Sequence, residues 1–268
     1  MAQLFNDSTI ANIEANLARD TIEDEDKKSR WAIVILVILI FVFRGWFSYW
    51  IKFGIPIPSG YTVRNIDTTE APIQINYTPQ QSFEKTFMYK SLINNHEIKI
   101  IPMAYYKLSG MVVASNHDFF RVSDFFDSAA LYDLGASWGS IGTKPVYSKY
   151  FKSYSAKTNH LNYTGGSRIL WTQYKRYPLP ESLGDWSSSY SHSHLVPANR
   201  NVMAGLLTIK IWQNVVIEGE LIDMEYPGHP DYHTSMSRND DGMHGDRGCG
   251  GCETVLVKKV QVGHWIYQ

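Results

Sequence analysis

Four side chains in the last third of the chain have the types and spacing for metal or thiol chemistry. Cys249 and Cys252 form a Cys-x-x-Cys pair, and His192 and His194 stand two apart in the stretch Ser-His-Ser-His-Leu. The first expectation for the cysteines is a structural disulfide, Cys249 to Cys252, closing a turn. Redox catalysis places its Cys-x-x-Cys at the start of a helix, where the dipole lowers the thiol pKa. Here the pair precedes a β-type run, so catalysis of that kind is the weaker reading. For metal, Cys-x-x-Cys supplies half of a tetrahedral site, and His192 with His194 can supply the other half. The spacing matches no known zinc module, and His244 is a further candidate ligand.

Other patterns lead less far. Ser237-x-Asn239-x-Asp241-Gly242 mimics the start of a calcium loop, but Gly248 occupies the twelfth position, where a bidentate Glu is needed. The stretch reads as a polar turn. Signal peptidases use a Ser-Met pair, and Ser235-Met236 comes near the end of the domain without the following Pro or a later Lys-Arg base. Sortases need an Arg after the cysteine, and none follows Cys252. No convergent catalytic set emerges, and no cofactor is expected.

The elements that position these residues start from a membrane anchor. Residues 31–51, WAIVILVILIFVFRGWFSYWI, are the one run apolar and long enough to leave water. About 21 residues at about 1.5 Å each give about 31 Å of helix, matching a hydrocarbon core of about 30 Å. Trp31 at one end and Trp46, Tyr49 and Trp50 at the other sit where amphipathic rings prefer the headgroups. A long polar stretch precedes the run and no small-residue cleavage site follows it, so the helix is expected to stay as an anchor. Lys27, Lys28 and Arg30 outweigh Arg44 and Lys52, which puts the N-terminus in the cytoplasm. Arg44 either snorkels to the outer interface or meets a partner on another membrane helix. Arg44, Trp46 and Trp50 are therefore candidate interaction residues.

This divides the chain into a cytoplasmic tail with an amphipathic helix (1–30), the span (31–51), a Pro/Gly linker (52–60) and an exported β-rich domain (61–268). The whole sequence has 25 Lys and Arg against 26 Asp and Glu, and those of the head are dispersed, so nucleic acid is excluded as a main partner. Lipid and other integral membrane subunits are the expected partners.

Within the head, residues 105–114 (YYKLSGMVVA) and 168–174 (RILWTQY) predict strands. Ile73, Ile75, Ile98 and Ile100 suggest edge-type strands, with a short helix possible over 81–92. Ser123-Asp124 could cap a helix through Leu131 that ends at Gly135. Residues 147–191 read as loop-rich. Strands are expected over 206–211, 214–224 and 254–262, and this closing pattern suggests a five-stranded Greek-key barrel of the OB type.

The blocks 193–198 (SHLVPA), 216–223 (VIEGELID), 235–240 (SMSRND) and 252–255 (CETV), with 101–104, 108–110 and 136–139 upstream, resemble a family of uncharacterised bacterial membrane-anchored proteins. That resemblance implies a bacterial inner-membrane protein with a periplasmic β-rich domain and no established activity. The family's short turn before Cys-Glu is expanded here to DDGMHGDRGCGGCE, which adds Cys249. Two functions are carried forward. The first is an accessory subunit whose exported domain packs on the outer face of a larger membrane complex. The second is a tethered enzyme or metal/thiol module centred on His192, His194, Cys249 and Cys252.

Overall fold

The computed structural model describes residues 31–36, 51–117, 125–158, 167–176, 178–184, 186–229, 231–237 and 252–268. These fall into two units, divided between Lys52 and Phe53. In the first, residues 31–36 are helical and expose their apolar side chains. Arg44, Trp46, Trp50 and the tail 1–30 lie outside the described residues. Among the described residues no helix is long and apolar enough to cross a membrane.

The second unit is mainly β, because its long runs of Val, Ile, Leu and Tyr alternate with polar residues at a period of two. The strands are β1 (Gly60–Tyr61), β2 (Ile73–Asn76), β3 (Phe87–Lys90), β4 (Glu97–His117), β5 (Tyr132–Ser137), β6 (Phe151–Thr158), β7 (Ser167–Tyr174), β8 (Tyr190–Pro197), β9 (Asn214–Glu225), β10 (Glu253–Val262) and β11 (Trp265–Tyr267). Among the described residues four short α-helices join them: α1 (Pro79–Lys85), α2 (Phe125–Ala129), α3 (Lys144–Tyr150) and α4 (Arg200–Leu206). A capping box between Thr78 and Gln81 starts α1, and the Asn199 side chain accepts from Val202 N to start α4.

Five strands close on themselves. β4 pairs β5, β5 pairs β8, β8 pairs β10, β10 pairs β9, and β9 returns to β4. Every pairing in this ring is antiparallel except β8 with β10, which is parallel. Closure is possible because β4 is 21 residues long and bends at irregularities between Pro102 and Ala104 and between Val112 and Ala114. It therefore carries β9 along one edge and β3, β2 and β5 in succession along the other. β6 and β7 form a separate two-stranded sheet.

One row of cross-strand partners, Tyr132, Leu195, Val255, Leu221 and Ala104, crosses all five strands and is buried throughout. It marks the barrel interior, where each fully buried aliphatic side chain contributes about 1.5–3 kcal/mol. Gly219 lies in the neighbouring row, and a Cβ there would sit 1.9 Å from the Leu256 carbonyl oxygen. Only glycine lets β9 and β10 approach beside the irregularity at Val257 and Lys259.

Residues of opposite parity face outward and are covered in their turn. Ile98, Ile100, Val196, Ile222, Met224 and Leu256 form an apolar layer beneath Ala129 and Ala130 at the end of α2. A second layer joins Met111, Val113, Ile141, Tyr147, Phe151 and Tyr190. The wall between these two layers is where the polar side chains of β5, β8 and β10 emerge.

Several expectations are corrected here. The helix expected to run to Gly135 stops at Ala129, and Tyr132–Ser137 is a strand held between β4 and β8. Gly135 is not a helix cap: a Cβ there would meet the Tyr190 hydroxyl at 3.0 Å, so glycine makes room for a packed ring. The strand expected over 206–211 is instead the end of α4 and a turn, because Asn199 caps a helix whose Val202, Met203 and Leu206 are buried. Ile98 and Ile100 belong to β4 and are fully buried, not edge residues. The stretch over 81–92 is α1 followed by β3. The loop-rich region over 147–191 contains β6 as well as β7, and β8 begins at its end. Strands over 105–114, 168–174, 214–224 and 254–262 are present, the first as the middle of β4.

Candidate metal and thiol centre

On a strand, side chains two apart point to the same side, so the parity of β8 sends Ser191, Ser193 and Leu195 inward and His192, His194 and Val196 outward. The inward hydroxyls are satisfied locally. Ser191 Oγ lies 2.8 Å from Ser193 Oγ and donates to Glu253 Oε2 at 2.8 Å.

The outward row has a different chemistry. Asp133 on β5, His194 on β8 and Thr254 on β10 are register partners. Asp133 Oδ1 lies 2.8 Å from His194 Nδ1, and the side chains are 0 % and 5 % exposed. An imidazole held this way donates Nδ1–H to the carboxylate and carries its lone pair on Nε2. The Phe126 ring of α2 stands edge-on to His194 with centroids 5.0 Å apart, and Tyr232 packs on Phe126 at 4.2 Å. These rings exclude water from the Asp133 side, which strengthens the hydrogen bond.

Cys252 immediately precedes β10, and continuation of the parallel register sets it beside His192. Its Sγ lies 3.5 Å from His192 Nδ1, and the two imidazole rings are 5.1 Å apart. Ligand atoms of His192, His194 and Cys252 all lie within 4.8 Å of one another. A tetrahedral ion with metal–sulfur and metal–nitrogen bonds near 2.3 and 2.1 Å would have ligand–ligand edges of about 3.5 Å. The Cys252–His192 separation, 3.5 Å, already has that length, and the set as a whole spans no more than 4.8 Å.

The segment after β9 is fastened next to this set. Tyr232 exchanges backbone hydrogen bonds with Met224, Thr234 Oγ1 accepts from Thr254 N at 2.9 Å, and Ser235 N donates to the Cys252 carbonyl at 3.3 Å. Asp223 accepts from Thr234 N and pairs with His233 Nδ1, both at about 2.9 Å or less. The hydrogen bond to Asp223, with the charge of that carboxylate, raises the His233 pKa above its ordinary 6.5.

Three of the four residues singled out from the sequence thus come together. Cys249, His244 and the calcium-like set at Asn239, Asp241 and Gly242 lie outside the described residues, and so does any bridge from Cys249 to Cys252. Asp133 was not anticipated, since its stretch reads locally as a helix and its partner is 61 residues away.

Comparison of the chain with protein-family models, with curated proteins and with solved structures finds no match.

Proposed function

We propose that this chain is a membrane-tethered protein whose exported head is an OB-type barrel carrying a transition-metal centre on its outer wall. The observation that carries the reading is the convergence of His192, His194 and Cys252 with a buried carboxylate behind His194. A ligating histidine that gives its other N–H to a carboxylate is the usual support of a metal site. Two imidazoles and one thiolate suit zinc first, as a borderline-soft ion with no geometric demand of its own. The OB-type assignment is supported by the ring order: an antiparallel meander β4-β5-β8, a parallel closure of β8 on β10, and a helix, α4, between the third and fourth ring strands. The apolar run 31–51, its basic N-terminal flank and the resemblance to bacterial anchored proteins support an inner-membrane anchor with the head in the periplasm.

The test uses the full chain purified in mild detergent. Metal analysis gives one zinc per chain, and a variant with H192A, H194A and C252S combined gives none. Equal, sub-stoichiometric metal in both proteins would sink the reading.

A second reading, an accessory subunit of a larger membrane complex, is favoured by β2. Ile73 and Ile75 on this short strand are 50 % and 59 % exposed, and an apolar strand at a sheet edge is a ready surface for another chain. Arg44, Trp46 and Trp50 would add contacts within the bilayer. Purification from native membranes that yields the chain alone would remove this reading.

A further inference from the structure

We infer that the metal centre is of the open kind, with three protein ligands and a fourth position that takes a small anion from solution; this rests on the metal-centre reading above. Closed structural zinc sites are filled by four protein donors, whereas open ones have three and hold water or substrate at the fourth position. Three observations point to the open kind.

The donors first. His192 and His194 come from one strand at the shortest spacing that puts two side chains on the same face, and Cys252 immediately precedes its parallel neighbour. The two histidines are thus fixed by a barrel wall with Cys252 beside them, and among the described residues these three make up the donor group.

Exposure is graded across the set. His194 is buried under Phe126, while His192 and Cys252 are half-buried. The ion would therefore be shielded on the Asp133 side and reachable on the other.

Charge then selects the ligand. A divalent ion with one thiolate and two neutral imidazoles keeps one net positive charge, and Asp133 compensates it only from behind His194. A monoanion in the fourth position neutralises the ion and its donors together. Two Lys ammoniums on the same barrel, Lys258 and Lys259, are committed to Glu220 and Glu218 at 2.7 and 3.0 Å and do not compete for that anion.

The experiment is cobalt substitution of the full chain in detergent, with azide as probe. Cobalt binds one per chain and gives the strong visible bands of a four-coordinate ion together with a thiolate charge-transfer band that C252S abolishes. Azide shifts the visible bands saturably, C249S has the same spectrum as the parent, and X-ray absorption of the zinc form shows one sulfur per zinc. Bands that stay fixed in a large excess of azide, or two sulfurs per zinc, overturn the open position and leave a closed centre. Failure to bind cobalt or zinc at all overturns the metal reading itself, which the first measurement separates from the rest.

Discussion

Two polar clusters are set into the same barrel wall, and they solve the problem of burying polar groups in opposite ways. At Glu220, on β9, a carboxylate only 6 % exposed is met by the Lys258 ammonium at 2.7 Å, the Lys85 ammonium at 3.6 Å and the Tyr77 hydroxyl at 3.0 Å. Burial, and then the Glu220 charge, push the Tyr77 pKa up to about 12, so the phenol keeps its proton and donates. The lysine side chains are about half exposed, so their charges stay hydrated while the acid is neutralised. That cluster is complete in itself. At His192, His194 and Cys252 the charge pattern is reversed: one buried acid stands behind an imidazole, and soft donors crowd the front. Similar burial gives a structural ion cluster in one place and a candidate ligand set in the other. The difference lies in the residue types that the register happens to juxtapose.

The sharpest way to separate the two clusters is to remove one donor. Apparent zinc-binding free energies of about 10–16 kcal/mol in four-ligand structural sites give about 2.5–4 kcal/mol per ligand, so H194A should lower zinc affinity by about two to three orders of magnitude in a chelator competition. Glu220→Ala should leave that affinity unchanged. An equal loss in both variants would mean that H194A acts through the fold.

Asp133→Asn keeps the shape of the carboxylate and removes its charge. Zinc affinity should fall by about 10–100-fold, the range for outer partners of a metal-binding histidine. A loss of stability without a loss of affinity would assign Asp133 to packing alone.

Glu220→Ala should destabilise the head by about 1.5 kcal/mol in a urea titration. The figure lies below the 3–5 kcal/mol for breaking a fully buried pair, because Lys85 and Lys258 can rehydrate. A neutral result would show that the two lysines contribute no net stability.

The smallest effect concerns pH and contrasts the exposed His233–Asp223 pair with the buried His194–Asp133 pair. The folded pKa of His233 is raised, so the stability it contributes is fully present below about 6.5 and is lost as pH rises through the folded value. His233→Ala should flatten the stability curve over that window and leave zinc binding alone. An unaltered slope would place the titration elsewhere.

How much of this was legible along the chain depends on whether the controlling contact is local. β9 and β10 were readable because Val215, Ile217, Leu221 and Val255, Val257, Val260 place buried residues at a strand period with few interruptions. β8 was not, since Ser191, Ser193, His194 and Leu195 are buried and its two faces show no contrast between apolar and polar residues. The helix expected over Leu131 and Leu134 failed for a similar reason. Local periodicity allowed either form, and the antiparallel partners β4 and β8 decided for strand. α4 was obscured by the β-branched residues that follow it, and its Asn199 cap emerged only in the structure.

By itself the sequence determined that His192 and His194 share a face once they lie on a strand, and that Cys252 opens a strand of alternating valines. It also determined the apolar run 31–51 and the near balance of acidic and basic residues. Only the tertiary structure decided that Cys252 meets the histidines and that Asp133 stands behind one of them. Those meetings require β8 to lie between β5 and β10 in one particular register, and a shift by one residue would turn both histidines into the barrel. Strand pairing across some sixty residues is set by closure of the whole ring, which no local pattern of side chains can specify.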